Sequence, residues 1–344
     1  MNSFGTIFKI TTWGESHGKA MGLVIDGCPS GLEITEDELT EYLYKNDRPV
    51  VELATERDEP NKTNFLSGVY DGKTIGTPIS IVIMNNDVKS KDYKSIEKTF
   101  RPGHGEYGYF LKYNSLYLSG GGRASGRECI ARIAAGYFAE KIIKTKYEEY
   151  RVLGKILSLA GIDIIDQKSF DQALESSLKT ATMGDSTGGT IGIIIEGIPN
   201  GLGEPIFDGI DSKLASAMMS IGSVKSVEIG AGKNAASSKG SEFNDDFTIN
   251  DNKASLITNN CGGALGGITV ETPIDITLSV KPTPSIKIEK TGLSENKELK
   301  KISVNGRHDK NITPRIIPIA RAMASLVILD CLMLSGKISK DRLE

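Results

Sequence analysis

Short apolar runs and stretches with helical spacing alternate irregularly along the chain. The apolar runs predict strands at 5–13, 22–27, Ile79–Met84, Val152–Leu159, Ile191–Glu196 and Ile268–Val280. Helical spacing predicts helices that begin after Thr35 and after Ser125, each with a glutamate three residues on in a capping-box arrangement. Because strands and helices do not alternate strictly, we expect an α+β fold rather than a doubly wound parallel sheet.

Two further stretches have helical spacing. One places Leu214, Ala215, Met218 and Met219 on a common face, and the other is the apolar stretch Ile319–Leu334. Arg321, Ser325 and Asp330 interrupt that stretch, so it predicts a buried helix rather than a membrane span. The polar, glycine-rich segments 103–126 and 281–312 have weak periodicity and are predicted to be loops.

The chain contains an internal repeat. Three consecutive motifs at 14–18, 22–27 and 28–32 return about 170 residues later at 184–188, 192–197 and 198–202. Fainter matches pair 76–81 with 271–276, 122–123 with 306–307, and 130–134 with 319–323. We therefore expect one domain over 1–344, with repeats at about 5–145 and 175–335 packed about a pseudo-twofold axis.

The repeat does not duplicate the residues that carry chemistry. His17 corresponds to Thr187, and His104 has no evident counterpart in the second half. We therefore expect one site per chain, built from loops of both halves.

Positive charge is concentrated around a glycine-rich turn. Residues 101–132 hold five arginine or lysine and two glutamate side chains, a net charge of +3, whereas the whole chain carries −3. The turn leads into a predicted helix start, where free backbone N–H groups favour phosphate or carboxylate. This local pattern predicts a site for a small polyanion, although a structural turn would show the same glycines.

Composition limits the function classes. The 344 residues are 39% hydrophobic and 25% charged, which is typical of a globular protein, and the net negative charge does not favour nucleic-acid binding. The four cysteines form no Cys-x-x-Cys pair and no metal spacing, so we expect reduced thiols, no metal site and a cytoplasmic location. The N-terminus lacks a signal pattern, and no membrane association is expected.

All three histidines lie in short motifs with glycine, arginine or carboxylate residues: His17, His104 and His308. Histidine is the usual proton carrier near neutral pH. Gly-x-Ser-x-Gly occurs twice, around Ser16 and Ser186, so a serine hydrolase stays open as an alternative, without a defined triad. Neither a dinucleotide-binding glycine motif nor a P-loop is present.

Taken together, the motifs resemble those of the chorismate synthase family, in the family's order and approximate spacing from about residue 4 to 335. The motifs are Gly14-Glu15-Ser16-His17-Gly18, Arg101-Pro102-Gly103-His104, Gly121 to Glu128, Gly184 to Gly189, Ala217 to Ile221, Lys281-Pro282-Thr283 and Gly306-Arg307-His308-Asp309. The resemblance implies helices layered between sheets and a homotetramer. It also implies a lyase that converts 5-enolpyruvylshikimate 3-phosphate to chorismate by 1,4-anti elimination of phosphate and a ring proton, with reduced FMN.

The resemblance also implies residue roles. His104 is expected to protonate or stabilise the departing phosphate, His17 to control protonation at the reduced flavin, and Asp309 to help take up the ring proton with the flavin N5. The residues expected to contact substrate are Ser16, Arg48, Arg57, Arg101 and Arg127. The residues expected to contact FMN are Arg123, Ala124, Ser125, Glu242, Phe243, Gly266, Lys281, Pro282, Thr283, Pro284, Ser285 and Arg307.

The chain departs from the family pattern near Arg48. Where the family usually has a basic triplet, the stretch here is Lys45-Asn46-Asp47-Arg48. A further arginine expected a few residues later is replaced within Val50-Val51-Glu52-Leu53, so Arg57 is the candidate substitute. These changes weaken the expectation of NADP binding, and we expect an external flavin reductant. Lys310 and Gly126 replace a usual proline and alanine. A non-catalytic flavin- or phosphate-binding protein on the same scaffold is the main alternative.

Overall fold

The computed structural model describes residues 1–87, 98–115, 119–250, 253–304 and 308–343. The strands are β1 Ser3–Phe4, β2 Lys9–Gly14, β3 Ala20–Asp26, β4 Thr63–Phe65, β5 Val69–Tyr70, β6 Lys73–Thr74, β7 Ile79–Met84, β8 Thr99–Phe100, β9 Arg151–Leu159, β10 Ile162–Asp163, β11 Gly189–Glu196, β12 Val224–Ile229, β13 Phe247–Asn250, β14 Lys253–Leu256, β15 Ala264–Leu265, β16 Ile268–Thr269, β17 Ile274–Val280, β18 Lys290–Ser294 and β19 Leu299–Ile302. The helices are α1 Glu36–Asp47, α2 Glu106–Tyr113, α3 Cys129–Lys144, α4 Gln167–Thr182, α5 Ile210–Met219, α6 Gly240–Phe243 and α7 Thr313–Leu334.

Two five-stranded antiparallel sheets form the outer layers. The first has the order β1-β2-β3-β7-β4, and the second has the order β10-β9-β11-β17-β12. Alternate residues of the central strands are buried, such as Ile79, Ile81 and Ile83 in β7. This alternation gives each sheet one apolar face that packs against helices.

Helices α3 and α7 form the layer between the sheets. α3 contacts β3 and β2 of the first sheet, and α7 contacts β9 and β11 of the second. The two helices approach closely at Gly136, where an added Cβ would lie 2.4 Å from the Cβ of Ala322. The predicted α+β fold with helices between antiparallel sheets is confirmed.

Helix α7 is long and apolar enough to cross a membrane by length and composition alone. In the structure, 89% of its most apolar window is buried inside the protein. The predicted buried helix is therefore confirmed, and it extends N-terminally to Thr313.

The two halves share an order of elements. Strands β2, β3 and β7 are neighbours in the first sheet, and β9, β11 and β17 are neighbours in the second. A helix follows the second strand of each trio, α1 or α5, and a long core helix follows the third, α3 or α7. This order supports the internal repeat, which stays a prediction.

Several predicted boundaries are wrong. The long strand Ile268–Val280 is two strands, because Pro273 cannot donate a backbone hydrogen bond and the chain turns before β17. After Ser125 the chain first forms a 3-10 turn over Gly126–Glu128, and α3 begins only at Cys129. In α5 the buried face contains Ala217 with Leu214 and Met218, whereas Met219 is exposed.

The predicted loops also contain regular structure. Helix α2 lies within 103–126, and strands β18 and β19 lie within 281–312. In α2 the apolar residues do not form a single buried face, and Tyr107, Leu111 and Tyr113 are exposed. The hydrophobic pattern therefore did not predict this helix.

Candidate active site

A cavity of about 520 Å³ opens where loops of both halves meet. Its walls come from the segments 101–105, 123–129, 220–225, 281–285 and 308–319, with contributions from His17, Asp47, Thr55, Arg57 and Glu59. The first-half segments adjoin α2 and α3, and the second-half segments adjoin β12, β17 and α7. Residues nearly 300 positions apart in sequence therefore share one cavity.

The lining of the cavity is cationic. Among its described lining residues, eight are arginine or lysine and four are aspartate or glutamate: Arg57, Arg101, Arg123, Arg127, Arg132, Lys225, Lys281 and Arg315 against Asp47, Glu59, Glu128 and Asp309. A cleft lined by an excess of one charge concentrates ligands of the opposite charge. The cavity is therefore suited to a polyanion.

His104 and Arg101 form one side of the cavity. The buried Arg101 guanidinium lies 3.3 Å from His104 Nε2 through Nη2 and donates to Ser285 Oγ at 2.8 Å through Nη1. Gly121, with φ of +85°, packs on the imidazole, where an added Cβ would lie 2.9 Å from His104 Cε1. A side chain at position 121 would therefore displace the histidine.

His104 is neutral at pH 7 in the ligand-free protein. Burial and the adjacent Arg101 lower the pKa of His104 to about 4, although Glu106 acts in the opposite direction. A bound phosphate dianion would favour the imidazolium form by the same electrostatics. The charge of this histidine is therefore coupled to anion binding.

His17 is oriented by its neighbour. Ser16 is fully buried and its hydroxyl lies 3.0 Å from His17 Nδ1, while the Ser16 carbonyl accepts a hydrogen bond from Arg57 Nη1 at 3.1 Å. Arg57 in turn donates to the buried Glu59 carboxylate at 2.7 Å. Burial opposes ionisation of Glu59, but Arg57 and two backbone N–H groups hold its pKa below the usual value.

Arg127 and Arg123 each have a buried guanidinium nitrogen that donates no hydrogen bond to any described residue. Arg127 is buried and donates to Asn61 Oδ1 at 2.5 Å and to Asn85 Oδ1 at 3.3 Å. Burial lowers the pKa of Arg127 to about 10, so it stays charged at pH 7. Within the described residues, Arg127 Nη2 and Arg123 Nη1 are buried with no hydrogen-bond partner. Buried donors in this state are suited to an anionic ligand.

Asp309 is held by a shared arginine. Arg315 Nη1 donates to both Asp309 oxygens at 3.0 and 3.2 Å, and Arg315 Nη2 donates to Asp47 Oδ1 at 3.0 Å. The backbone N–H of Thr55 donates to Asp309 Oδ1 at 2.9 Å. Asp309 and Asp47 raise the pKa of Arg315 despite its burial. The Asp309 carboxylate is therefore fixed in orientation.

The loop after β17 closes the cavity. Lys281 Nζ donates to the Gly103 carbonyl at 2.5 Å, and Ser186 Oγ donates to the Thr283 carbonyl at 2.7 Å. Burial and the nearby Lys225 lower the pKa of Lys281. The Thr283 hydroxyl is buried without a described partner. The second Gly-x-Ser-x-Gly motif thus supports this loop.

Sequence and structure comparisons agree on the family. The sequence model of the chorismate synthase family matches residues 8–333. Chorismate synthase of Methanosarcina mazei is 42% identical over 98% of both chains, and that of Lachnoclostridium phytofermentans is 41% identical over 98% of this chain and 96% of its own.

The chain belongs to the chorismate synthase family. A crystal structure of a chorismate synthase superposes with a TM-score of 0.73 at 25% identity, covering 96% of this chain and 93% of that one. The predicted family, and with it a lyase that forms chorismate, is confirmed.

Most residues that the family resemblance singles out meet in this cavity. They are His17, Arg57, Arg101, His104, Arg123, Ala124, Ser125, Arg127, Lys281, Thr283, Pro284, Ser285 and Asp309. Ser16 lies behind His17 and does not line the cavity. Arg48 lies outside the lining and pairs with Asp58 at 2.8 Å.

The remaining predicted residues lie elsewhere. Pro282 is exposed at the edge of its loop, and Glu242, Phe243 and Gly266 lie outside the cavity lining. Arg307 falls outside the described residues. The roles of all these residues stay predictions.

The lining also contains residues to which sequence analysis assigned no individual role in the site: Asp47, Glu59, Tyr109, Arg132, Lys225, His308 and Arg315. His308 belongs to the motif Gly306-Arg307-His308-Asp309, which already marked it as a candidate proton carrier. Asp47 and Arg315 are 268 residues apart and carried no local signal. The described residues contain no group of three or more His, Cys, Asp and Glu placed to hold a metal ion.

Proposed function

We propose that this cavity binds 5-enolpyruvylshikimate 3-phosphate together with reduced FMN, and that the chain eliminates phosphate and a ring proton in the 1,4-anti sense to form chorismate. The observation that carries the proposal is the meeting of His17, His104 and Asp309 in one cationic cavity. These are the groups that the reaction needs for proton transfer, and they are surrounded by arginines that suit its anions.

The residues present fit the two ligands. Substrate and flavin together bring two phosphates and two carboxylates. The cavity offers an excess of four positive charges, and buried donors of Arg123, Arg127 and Thr283 have no described partner. Its volume of about 520 Å³ lies within the range of roughly 300–1,000 Å³ that is usual for ligand sites.

When bound, reduced FMN supplies an electron-rich ring that assists the elimination without net redox change. Arg101 and His104 bind and neutralise the departing phosphate, and His104 takes up a proton as the anion raises its pKa. Asp309, held by Arg315 and the Thr55 N–H, accepts the ring proton. His17, held by Ser16, controls the proton beside the cofactor.

We also propose a homotetramer. Phe247, Ile249 and Leu265 are exposed apolar residues close in sequence to Phe243 and Gly266. Contact with another subunit would cover such residues. In such a tetramer, the predicted FMN contacts Glu242, Phe243 and Gly266 would lie at a subunit interface.

We propose an external flavin reductant rather than reduction by NADPH at this site. Arg48 pairs with Asp58 and Arg57 with Glu59, and the segment 49–53 contains no further arginine for the phosphates of NADPH. A cytoplasmic location is supported by the cysteines, which are free, with Cys28, Cys129 and Cys331 buried.

Anaerobic turnover tests the proposal. Enzyme, chemically reduced FMN and 5-enolpyruvylshikimate 3-phosphate are mixed, and chorismate absorbance and phosphate release are followed. Equal amounts of both products are expected, whereas flavin binding without product would favour the non-catalytic alternative. Oxidised FMN with NADPH is expected to give no product. The serine hydrolase alternative has little support, because Ser16 is fully buried and Ser186 Oγ donates to a carbonyl.

A further inference from the structure

A buried glutamate lies behind the proposed phosphate site. Glu106 is the first residue of α2, and it is 4% exposed. Its Oε2 accepts a hydrogen bond from Arg101 Nε at 3.1 Å and lies 3.5 Å from His104 Nδ1, while Oε1 accepts from Arg101 Nη2. One carboxylate therefore contacts both groups that face the departing phosphate.

The Glu106 carboxylate is the negative charge that favours protonation of His104 among several positive neighbours. Arg101, Lys281 and His308 disfavour a positive charge on the imidazole, and Glu106 favours it. Glu106 also engages the Nε and Nη2 edge of Arg101, while Nη1 donates to Ser285. Removal of the carboxylate would leave the guanidinium and the imidazole to repel each other once the imidazole is protonated.

We propose that Glu106 is a positioning residue for phosphate departure: it fixes the Arg101 guanidinium and supplies the counter-charge that lets His104 become protonated when the anion binds. The proposal rests on the proposed function for the identity of that anion. Glu106 itself does not line the cavity, so it acts through Arg101 and His104. In the catalytic triads of hydrolases, a buried carboxylate likewise orients a histidine and stabilises its imidazolium form.

A purely structural role in starting α2 makes a different prediction. The hydrogen bonds that the Glu106 carboxylate accepts within the described residues all come from Arg101, through its backbone N–H, Nε and Nη2. If Glu106 served only the helix, its replacement would change stability and leave the titration of His104 unchanged. The imidazole titration therefore separates the two roles.

The test is a histidine NMR titration of the full chain, in which only three imidazoles contribute. The spectrum of His104→Gln identifies the His104 signals. In Glu106→Gln the pKa of His104 is expected to fall by about one unit or more, as for loss of an opposite charge at this distance. Inorganic phosphate at saturating concentration should raise that pKa in the wild type and raise it less in Glu106→Gln.

Turnover gives a second readout. Each unit of pKa lost reduces the imidazolium fraction about tenfold, so kcat at neutral pH should fall roughly tenfold or more in Glu106→Gln. Glu106→Asp keeps the charge but withdraws it by about 1.5 Å, so its pKa shift and its loss of kcat should be smaller. Glu41→Gln, at an exposed surface ion pair with Lys45, is the control and should match the wild type.

An unchanged His104 titration in both Glu106 variants would overturn the proposal, whatever their stability. If Glu106→Gln does not fold, the test rests on Glu106→Asp alone. A wild-type His104 pKa together with a wild-type kcat in that variant would overturn the proposal. If the wild type makes no chorismate, the proposed function fails, and the titration with inorganic phosphate still decides the role of Glu106.

Discussion

Replacement of Gly121 by alanine tests whether the position of His104 limits the reaction. At φ of +85°, any residue with a Cβ is strained by roughly 1–2 kcal/mol. The new Cβ would also lie 2.9 Å from His104 Cε1 and 3.2 Å from Arg101 Nη2. Ordinary van der Waals contact begins at 3.4 Å, so the imidazole must move by about 0.5 Å. A misplacement of about 1 Å can cost roughly 10²-fold in rate, so about a tenfold loss of kcat is expected.

Gly72→Ala is the matched control for this experiment. Gly72 also has a left-handed φ, +73°, but an added Cβ there meets no atom within 4 Å. Both variants should lose a similar free energy of unfolding in urea because they share the backbone strain. Only Gly121→Ala should lose kcat in anaerobic chorismate formation. Equal kcat values for the two variants would refute the argument that the glycine protects the histidine's position.

Two further predictions concern buried charges. Arg315→Met should reduce the free energy of unfolding by about 3–5 kcal/mol because it leaves Asp309 and Asp47 unpaired, and Arg315→Lys should lose less because it keeps one charge. Urea unfolding checks this, with the exposed Arg151→Lys as a control that should stay within about 1 kcal/mol of wild type. The pKa of His104 is lowered from 6.5 to about 4, so between these values the unfolded chain binds more protons and stability falls with falling pH. The wild type should therefore lose about 3 kcal/mol more than His104→Gln between pH 7 and pH 4, and parallel stability curves would contradict the shift.

Much of the architecture could be predicted because it depends on local patterns. The β-branched runs of β7 and β11 identify buried strands, and the apolar stretch of α7 identifies a core helix. The predicted strand Ile268–Val280 was wrong because its partial alternation was followed across Pro273, where the strand pairing stops and the chain turns. Helix α2 could not be predicted either, because Tyr107, Tyr109, Leu111 and Tyr113 are exposed and the helix has no single buried apolar face.

The candidate site could be predicted from the sequence only where a motif contains its residues. His17, His104 and Asp309 each stand in a short motif, and the structure places all three around one cavity. Side chains that act through long-range contacts gave no signal. Arg315 joins Asp47 to Asp309 across the fold, and Arg48 is directed to Asp58 by an ion pair that spacing does not reveal.

Whether this cavity carries out the elimination is decided by measuring phosphate and chorismate together in anaerobic reactions of wild type, His17→Ala and His104→Ala with chemically reduced FMN. The wild type should release one phosphate for each chorismate. Both variants should still bind FMN while losing roughly 10²–10⁴-fold in kcat, the usual contribution of a general acid or base. Wild-type rates in either variant, or phosphate release without chorismate, would contradict the assignment of this cavity as the site of elimination.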